Sequence, residues 1–380
     1  MLTSMKPMYE LAEEMEFALG AFNVNSFQQV KAAIRIAEIY NSPLVIQGAE
    51  AANGFIGGIK DYRNSTLDEK KRGMELLANA VRKYGENSLI PIALHLDHGL
   101  SFEVCKAAVD SGYTSIMIDG SSKSFEENIE ITREVTEYAH KYGVSVEGEL
   151  GVLKGVEDNV VSEESTYTHP LDAVKFVKET KVDALAISYG TSHGANKGKN
   201  VVLREPIVTA IKECFLHENL HASIVSHGSS NVEEHIVKEI NELGGELKNA
   251  GGIPIKQLKT AIKAGVRKIN VDTDIRLYTT RNLLRLFKND PDILKDEAIN
   301  EIYNFMKEKP SAFDPRYYLQ NLIPSLTSFE EPTAQMAKVD KAVEDAAMEI
   351  IGKLIVEFGS IEKAKYINYR TLEELAKEYK

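Results

Sequence analysis

Three histidines with similar local sequences are the residues of this chain best suited to chemistry. His98 lies in HLDHG, His193 in GTSHGANKG and His227 in IVSHGSS, and a glycine directly follows each of them. An apolar run typical of a buried strand lies just before each motif. Three such histidines, carried by three strands of one barrel, would meet at one rim. Neutral imidazoles with an open fourth position are typical ligands of a catalytic divalent metal such as zinc.

The elements that would hold these histidines are eight apolar runs that alternate with helical patterns. Each run is short and rich in Val, Ile, Leu and Ala, as a strand buried on both faces should be. The runs cover residues 20–24, 43–48, 91–97, 115–119, 145–150, 183–188, 221–226 and 267–272. This alternation predicts an α/β fold, a (β/α)8 TIM barrel. A doubly wound open sheet is the alternative, but it usually has fewer strands, and no GxGxxG follows the first strand here.

Polar side chains follow most of the predicted strands. They are Asn23, Asn25, Asp97, His98, Asp119, Glu147, Glu149, Ser192, His193, His227, Ser229, Asn270 and Asp272. Active sites of (β/α)8 barrels lie at the C-terminal ends of the strands. The sequence therefore predicts one site, at this end of the barrel.

The chain divides into two predicted parts. Residues 1–290 would form the catalytic barrel, and residues 291–380 would form additional C-terminal helices. Within these helices, VEDAAMEIIGKLIVEF is too apolar to stand alone in water. We therefore expect the extension to pack on the barrel or on a neighbouring subunit, in a homodimer or homotetramer.

Composition narrows the class of protein. The formal net charge of −12 disfavours nucleic acid as a partner, and no stretch approaches the roughly 20 apolar residues of a membrane span. The N-terminal segment carries acidic residues where a signal peptide would be apolar. Two cysteines, Cys105 and Cys214, exclude a disulfide framework. A cytoplasmic enzyme with a small-molecule substrate is the expectation.

Six motifs in one order make the chain similar to a known family. HLDHG, EGELG, GTSHG, SHGSS, KINVDT and FDPRYYL follow one another along residues 95–319. The ordered set resembles the signature of the class II, zinc-dependent fructose-1,6-bisphosphate aldolases and their ketose-bisphosphate relatives. The resemblance implies a (β/α)8 barrel, aldol cleavage of a phosphorylated ketose and a glycolytic role.

The resemblance also implies which residues would hold the metal. It assigns zinc to His98, His193 and His227, and it gives Glu149 as a ligand for an alternate, more buried metal position. A carboxylate that only orients a histidine is the other interpretation of Glu149. A monovalent cation, Na⁺ or K⁺, would accompany the zinc.

Three residues would handle protons and charge. By resemblance, Asp97 takes the proton of the carbon-4 hydroxyl, as general base catalysis of aldol cleavage requires. Glu157, in the loop after the fifth strand, would move the proton at the enediolate carbon of dihydroxyacetone phosphate. Asn270 would help to hold the enediolate charge.

A larger group would bind the phosphorylated sugar. Small residues, backbone N–H groups and a few cations are what phosphate recognition needs. The predicted contacts are Asn23, Gly194, Lys197, Gly228, Ser229, Ser230, Asp272, Thr273, Arg276 and Arg316. By resemblance, Arg276 would reach the carbon-6 phosphate and Arg316 a neighbouring subunit's site.

Four positions depart from the family pattern and keep other functions open. Ala49 stands where the family usually has serine, Lys154 replaces one glycine of a pair, Asn196 replaces an aromatic residue, and Ser226 replaces an aliphatic one. The chain would thus be an outlying member. Tagatose 1,6-bisphosphate or another phosphorylated ketose is an alternative substrate, and a non-catalytic metal or sugar-phosphate binding protein is an alternative function. A Schiff-base aldolase would need a desolvated lysine pointing into the barrel, and the sixth strand has none.

Overall fold

A computed structural model of the chain describes residues 2–153, 155–157, 160–162, 166–192, 194, 197 and 201–380. For residues 156, 157 and 160–162 it describes the backbone alone. In the part of the chain described, no helix is both long and apolar enough to cross a membrane.

Eight parallel strands form a closed barrel, which confirms the predicted (β/α)8 fold. They pair in the circular order β1-β10-β9-β8-β5-β4-β3-β2, and β2 closes onto β1. The strands are β1 (Leu19–Asn23), β2 (Leu44–Ala49), β3 (Ile92–Gly99), β4 (Ser115–Ile118), β5 (Ser145–Leu150), β6 (Gly155–Glu157), β7 (Val160–Ser162), β8 (Ala184–Ile187), β9 (Ser223–Ser226) and β10 (Val266–Val271). The pair β6–β7 is an antiparallel hairpin outside the barrel, in a segment that the sequence predicts only as a loop.

Helices follow most of the barrel strands and cover the outside of the barrel. They are α1 (Lys6–Met15), α2 (Phe27–Ile39), α3 (Glu50–Ile56), α4 (Leu67–Gly85), α5 (Phe102–Ser111), α6 (Phe125–His140), α7 (Pro170–Thr180), α8 (Glu205–His217), α9 (Glu234–Glu242), α10 (Ile255–Ala264), α11 (Thr273–Asn289), α12 (Glu297–Glu308), α13 (Pro315–Tyr318), α14 (Ile323–Leu326), α15 (Ala334–Glu357) and α16 (Leu372–Glu378). Short 3-10 turns cover Tyr62–Asn64, Pro291–Lys295, Gln320–Leu322 and Ala364–Tyr366. Several helices begin at a Ser or Thr cap, as in the capping boxes of α4, α6 and α16.

The barrel interior changes from apolar to polar along its axis. One apolar cluster joins small or branched strand residues, such as Ala21 and Ala93, to Met8 and Tyr9 of α1. Helix α1 therefore plugs the N-terminal end of the barrel. Beyond this cluster, buried charged side chains pair with one another, as Lys268 of β10 does with Glu147 of β5 at 2.8 Å. In the described part of the chain, the apolar plug thus lies at the N-terminal end, opposite the rim where the sequence predicts a polar site.

The long helix α15 packs against α2 and α11 of the barrel. The Asn282 side chain donates to the carbonyl of Ala342 over 3.1 Å, and Lys31 pairs with Glu344 at 2.8 Å. A Cβ added at Gly352 would lie 3.0 Å from Ile36, so the two helices approach closely. Packing against the barrel explains how the apolar face of this helix is removed from water. The division at residues 290/291 stays a prediction.

Candidate metal and active site

His98 reaches the rim because the backbone turns at that residue. Asp97 and His98 are neighbours on β3, and side chains of consecutive strand residues normally point to opposite faces. His98 adopts a left-handed conformation, with φ of 48°, and the pairing of β3 with β4 shifts register between Leu96 and Gly99. Both side chains are buried. The turn thus lets two successive residues serve one site.

The rings of His98 and His227 meet edge to face across the rim. Their centroids lie 4.8 Å apart with an 86° angle between the rings, and His98 Nε2 is 3.1 Å from His227 Nδ1. Glu149 Oε2 lies 3.6 Å from the same His227 Nδ1. His98 on β3 and His227 in the loop after β9 therefore meet at one point of the rim, as the sequence predicts.

Carboxylates bind the other nitrogen of each ring and set its tautomer. Asp119 Oδ2 lies 2.9 Å from His98 Nδ1, and Glu147 Oε1 lies 2.7 Å from His227 Nε2. An ionised carboxylate only accepts hydrogen bonds, so each of these ring nitrogens carries the proton. When both rings are neutral, the nitrogens that face each other both present lone pairs. This is the donor arrangement of metal-bound histidines, whose second nitrogen usually donates to a carboxylate or carbonyl.

The environment holds both carboxyl groups ionised. Burial alone would raise the pKa of Asp119, but the hydrogen bonds from His98 and Ser121 outweigh it and hold that pKa well below its usual range. For Glu147, Lys268 and His227 likewise outweigh burial and lower the pKa. Burial lowers the pKa of His227, so its ring is neutral near pH 7. Neutral imidazoles and ionised carboxylates are the protonation states that a metal site needs.

Two overlapping sets of side chains have donor atoms close enough to share one ion. In each set the atoms lie within 4.8 Å of one another. One set is Asp97, His98 and His227, and the other is His98, Asp119 and Glu149. His193 lies outside the described residues. The described part of the chain therefore supplies histidine and carboxylate donors for a divalent cation, and the resemblance adds the third histidine.

Asp97 is held by two amides. Asn23 Nδ2 donates to one carboxylate oxygen over 2.8 Å, and Asn270 Nδ2 donates to the other over 2.9 Å. Gln47 in turn donates to Asn23 over 2.7 Å, and Lys268 donates to Asn270 over 2.8 Å. The carboxylate is thus oriented by β1 and β10, and its 4.0 Å distance from His98 places it beside the candidate metal position.

Lys268 is a residue of the site region that our sequence analysis missed. It is fully buried, donates to Glu147 over 2.8 Å and lies 3.4 Å from His95 Nε2. The strand period of two puts Lys268 on the same face as Asn270, which could have revealed it. The sixth strand carries no lysine, whereas Lys268 lies on β10, the last strand of the barrel. Its ion pair with Glu147 gives it a structural role that supports His227.

The loop after β9 approaches the loop after β8. Gly228 has a φ of 59°, and a Cβ added there would lie 2.6 Å from the backbone of Ser192. Ser229 Oγ lies 2.7 Å from Ser226 Oγ and donates to the carbonyl of His227 over 3.1 Å, while Ser226 also contacts the buried Tyr189 hydroxyl. Ser226, a departure from the family pattern, is therefore part of a buried polar chain that fixes this loop.

A cavity of about 240 Å³ opens beside these loops. It brings together most of the predicted sugar-phosphate contacts and adds several others. The lining residues are Arg63, Gly194, Lys197, Gly228, Ser229, Ser230, Asn270, Asp272, Thr273, Arg276, Ser311, Ala312, Phe313, Asp314 and Tyr317. Asn23 lies deeper, against Asp97. Its described lining combines three side-chain cations with the carboxylates of Asp272 and Asp314, so an anionic ligand would meet positive charge at three points.

Arg276 and Arg316 are both engaged by carboxylates. Arg276 Nε donates to Asp272 over 2.7 Å, and Arg276 Nη1 donates to Asp314 over 3.0 Å. Arg316 is fully buried, donates to Asp314 over 2.8 Å and lies over the ring of Tyr62 at 4.9 Å. Arg316 thus packs inside its own chain and does not line the cavity, and its role at a neighbouring subunit's site stays a prediction.

Some of the remaining predicted positions lie within the described residues and others lie outside them. Ala49 is buried at the end of β2, and the neighbouring Glu50 accepts from the backbone N–H of Leu100 over 3.0 Å. Glu50 therefore fixes the loop that follows His98. Lys154 and Asn196 lie outside the described residues, as does the side chain of Glu157, whose backbone belongs to β6.

Comparisons with known proteins agree with the geometry. The family model described as fructose-bisphosphate aldolase class-II matches residues 3–361. The chain is 37% identical over 331 residues to a fructose-bisphosphate aldolase of Treponema pallidum (strain Nichols), covering 84% of this chain and 90% of that one. It is 33% identical to a fructose-bisphosphate aldolase of Xanthobacter flavus, covering 100% and 97%. Among solved structures, the YdjI aldolase from Escherichia coli K12 matches with a TM-score of 0.63 and 23% identity, covering 96% of this chain and 100% of that chain.

Proposed function

Because the chain belongs to the class II fructose-bisphosphate aldolase family, we propose that it reversibly cleaves fructose 1,6-bisphosphate to dihydroxyacetone phosphate and glyceraldehyde 3-phosphate. The observation that carries the proposal is the pair of histidines with lone pairs turned toward each other beside Asp97. The names of the relatives support fructose bisphosphate rather than the tagatose epimer as the substrate.

The residues present fit a divalent metal, and we propose Zn²⁺ held by His98, His193 and His227. The fit rests on the tautomers that Asp119 and Glu147 impose, which leave donor atoms available at the rim. Glu149, close to His227, would serve an alternate position of the ion. When bound, zinc supplies Lewis-acid polarisation of the ketose carbonyl.

Asp97 is the proposed base for the carbon-4 hydroxyl. Its two oxygens accept from Asn23 and Asn270, so its orientation is set before substrate binds. Each carboxylate oxygen has lone pairs left for a further hydrogen bond. Removing the hydroxyl proton lets the bond between carbons 3 and 4 break and release the aldehyde.

Asn270 and Glu157 would complete the reaction. Asn270 has its amide oxygen on Lys268, which fixes its N–H₂ group toward the site, where it can hold developing negative charge. Glu157 would supply the proton to the carbon-3 position of the remaining three-carbon fragment. The hairpin β6–β7 carries this residue.

The sugar-phosphate ends would lie along the cavity. One phosphate would take the backbone N–H groups of Gly194, Gly228 and Ser229, with Ser230 and Lys197 beside them. Asp272 and Thr273 would bind sugar hydroxyls, and Arg276 would contribute to the second phosphate. The proposal also includes a monovalent cation, Na⁺ or K⁺, a homodimer or homotetramer, a cytoplasmic location and a role in glycolysis.

The test of the proposed function is cleavage of fructose 1,6-bisphosphate by zinc-loaded protein, followed through triose-phosphate formation. Tagatose 1,6-bisphosphate serves as the comparison substrate. A kcat/KM at least tenfold higher for the fructose compound supports the assignment. Cleavage of the tagatose compound alone would assign the other ketose, and no cleavage of either would leave another phosphorylated ketose as the substrate or a binding protein.

A further inference from the structure

The loop after β9, residues 227–233, carries proposed phosphate contacts at one end and meets helices outside the barrel at the other. Gly228, Ser229 and Ser230 line the cavity. Residues 231–233 continue to the start of α9. The contacts of this second half therefore help to decide where the first half lies.

Val232 holds a backbone conformation that a branched residue rarely adopts. Its φ is 49°, in the left-handed region, and its side chain is buried. Such a conformation persists only where the surrounding structure imposes it. The buried Asp274 of α11 accepts from the backbone N–H of Val232 over 2.7 Å and from that of Asn231 over 2.9 Å. The loop is therefore held in this conformation by side chains from outside it.

Glu233 is a second support of the loop, and its carboxylate is buried. It accepts from Asn231 Nδ2 over 3.1 Å and from the hydroxyl of Tyr278 in α11 over 3.0 Å. Lys353 of α15 also donates to it, and His235 Nδ1 lies 3.4 Å away. The side chain of Lys353 is 39% exposed, whereas that of Glu233 is 6% exposed. The lysine thus brings a positive charge from the surface to a buried carboxylate, which needs such a partner.

Asn231 connects the carboxylate of Glu233 to the wall of the cavity. It directly follows Ser230, whose carbonyl accepts from the N–H of Ile253 over 2.9 Å. A Cβ added at Gly252 would overlap the backbone of Asn231, so the loop has little room on that side. A shift of Asn231 would therefore also move Ser230, a residue of the cavity.

We propose that Lys353, on the C-terminal helix α15, is a positioning residue for the phosphate-binding loop and acts through Glu233. Without the ammonium group, the carboxylate would turn toward water and release Asn231. The proposal rests on the proposed function for the identity of the ligand as a sugar phosphate. It goes beyond that function by giving the C-terminal extension a part in substrate binding.

A set of variants isolates the contact between Lys353 and Glu233. Lys353→Met removes the charge and keeps most of the apolar length of the side chain, and Lys353→Arg keeps the charge. Lys341→Met is the matched control, because Lys341 lies on the same helix and pairs with the exposed Asp345 at 2.8 Å. Glu233→Gln and the double variant Lys353→Met/Glu233→Gln complete a double-mutant cycle. Thermal unfolding verifies that each variant is folded.

Binding and hydrogen exchange test the proposal without any turnover. We would measure dissociation constants of inorganic phosphate and of dihydroxyacetone phosphate by calorimetry with zinc-loaded protein. Lys353→Met should weaken both by about threefold or more, as for a partly exposed ion pair with one buried partner. The same substitution should speed amide exchange of the peptide that spans residues 228–233 by about fivefold or more. Lys353→Arg and Lys341→Met should resemble wild type in both measurements.

The cycle decides whether Lys353 acts through Glu233. In that case, Lys353→Met should change phosphate affinity by less than about twofold when Glu233→Gln is already present. Losses that add in the double variant would overturn the proposal. Equal affinities in Lys353→Met and Lys341→Met, or no phosphate binding by wild type, would overturn it as well.

Kinetics separates this proposal from the proposed function. If wild type cleaves fructose 1,6-bisphosphate, Lys353→Met should raise KM about threefold or more and leave kcat within about twofold, because Asp97 and Asn270 lie on other strands. A lower kcat with an unchanged KM would contradict a role in positioning the phosphate loop. If wild type does not cleave this sugar, the proposed function fails, while phosphate affinity and hydrogen exchange still decide the role of Lys353.

Discussion

His98 Nε2 and His227 Nδ1 face each other at 3.1 Å, and a carboxylate holds the proton on the opposite nitrogen of each ring. Two lone pairs turned toward one another repel unless a cation lies between them. The carboxylates of Asp119 and Glu147 therefore determine which nitrogen of His98 and of His227 can bind a metal. This relationship is the basis for a metal site at the rim.

One substitution can distinguish the proposed role of Asp97 as a base from the role of the metal ligands. Asp97→Asn should lower kcat by at least about 100-fold, because the base is lost, while zinc content stays near that of wild type. His98→Ala and His227→Ala should lose both zinc and activity. The measurement is metal analysis of dialysed protein beside steady-state kinetics. Loss of zinc from Asp97→Asn would show instead that Asp97 is a ligand, as its proximity to the two histidines allows.

Asp119 should affect metal affinity without touching substrate. Asp119→Asn removes the anion that orients His98, and we expect zinc affinity to fall about 10- to 100-fold. Asp110→Asn is the control, because that carboxylate pairs with Lys106 on the exposed surface of α5. Competition with a zinc chelator measures both affinities. Equal affinities in the two variants would contradict the role assigned to Asp119.

Gly228 should be required for its close contact as well as for its backbone conformation. Gly228→Ala adds a Cβ about 2.6 Å from the Ser192 backbone and should raise KM about tenfold or more by displacing the phosphate loop. Gly244→Ala is a matched control, since its φ of 107° is also positive but open space surrounds it. Both variants place alanine at a positive φ, which is unfavourable. Only the added Cβ of Gly228→Ala contacts a neighbouring backbone. A similar KM in both variants would contradict a role for the close contact between residue 228 and Ser192 in substrate binding.

Asp340 should make stability depend on pH where α15 packs on α2. Burial and Glu344 raise its pKa to about 6, against the partial opposition of Gln28 and Lys31. A carboxyl whose folded pKa is raised stabilises the protein while protonated, and this contribution is lost as pH rises through about 6. Asp340→Asn should therefore stabilise the protein by about 1 kcal/mol at pH 8, after allowance for partial exposure, and have little effect at pH 4. Thermal unfolding at the two pH values measures this. A gain in stability that is equal at pH 4 and pH 8 would contradict the raised pKa of Asp340.

The fold was accessible from the sequence because buried parallel strands leave short apolar runs of distinctive composition. All eight predicted barrel strands overlap the observed ones, and the run at 145–150 has the observed bounds of β5. The hairpin β6–β7 was missed because its three-residue strands carry too few residues for a periodic pattern.

The site was accessible only in part. The motifs around His98 and His227 indicated the rim, but the left-handed turn that aims His98 depends on tertiary structure rather than on local pattern. The inward position of Lys268 and the pairing of Arg276 with Asp314 join residues that are distant along the chain. The burial of Arg316 likewise requires Tyr62 and Asp314 around it. Packing in the folded chain sets such contacts, and they cannot be deduced from a single sequence.

The most direct test of the central claim is a zinc titration of metal-free protein in the fructose 1,6-bisphosphate cleavage assay. We expect no activity after chelation, recovery that saturates near one zinc per subunit, and no recovery in His227→Ala. Full activity of the chelated wild-type protein, or recovery in His227→Ala equal to that of wild type, would contradict the proposed metal site.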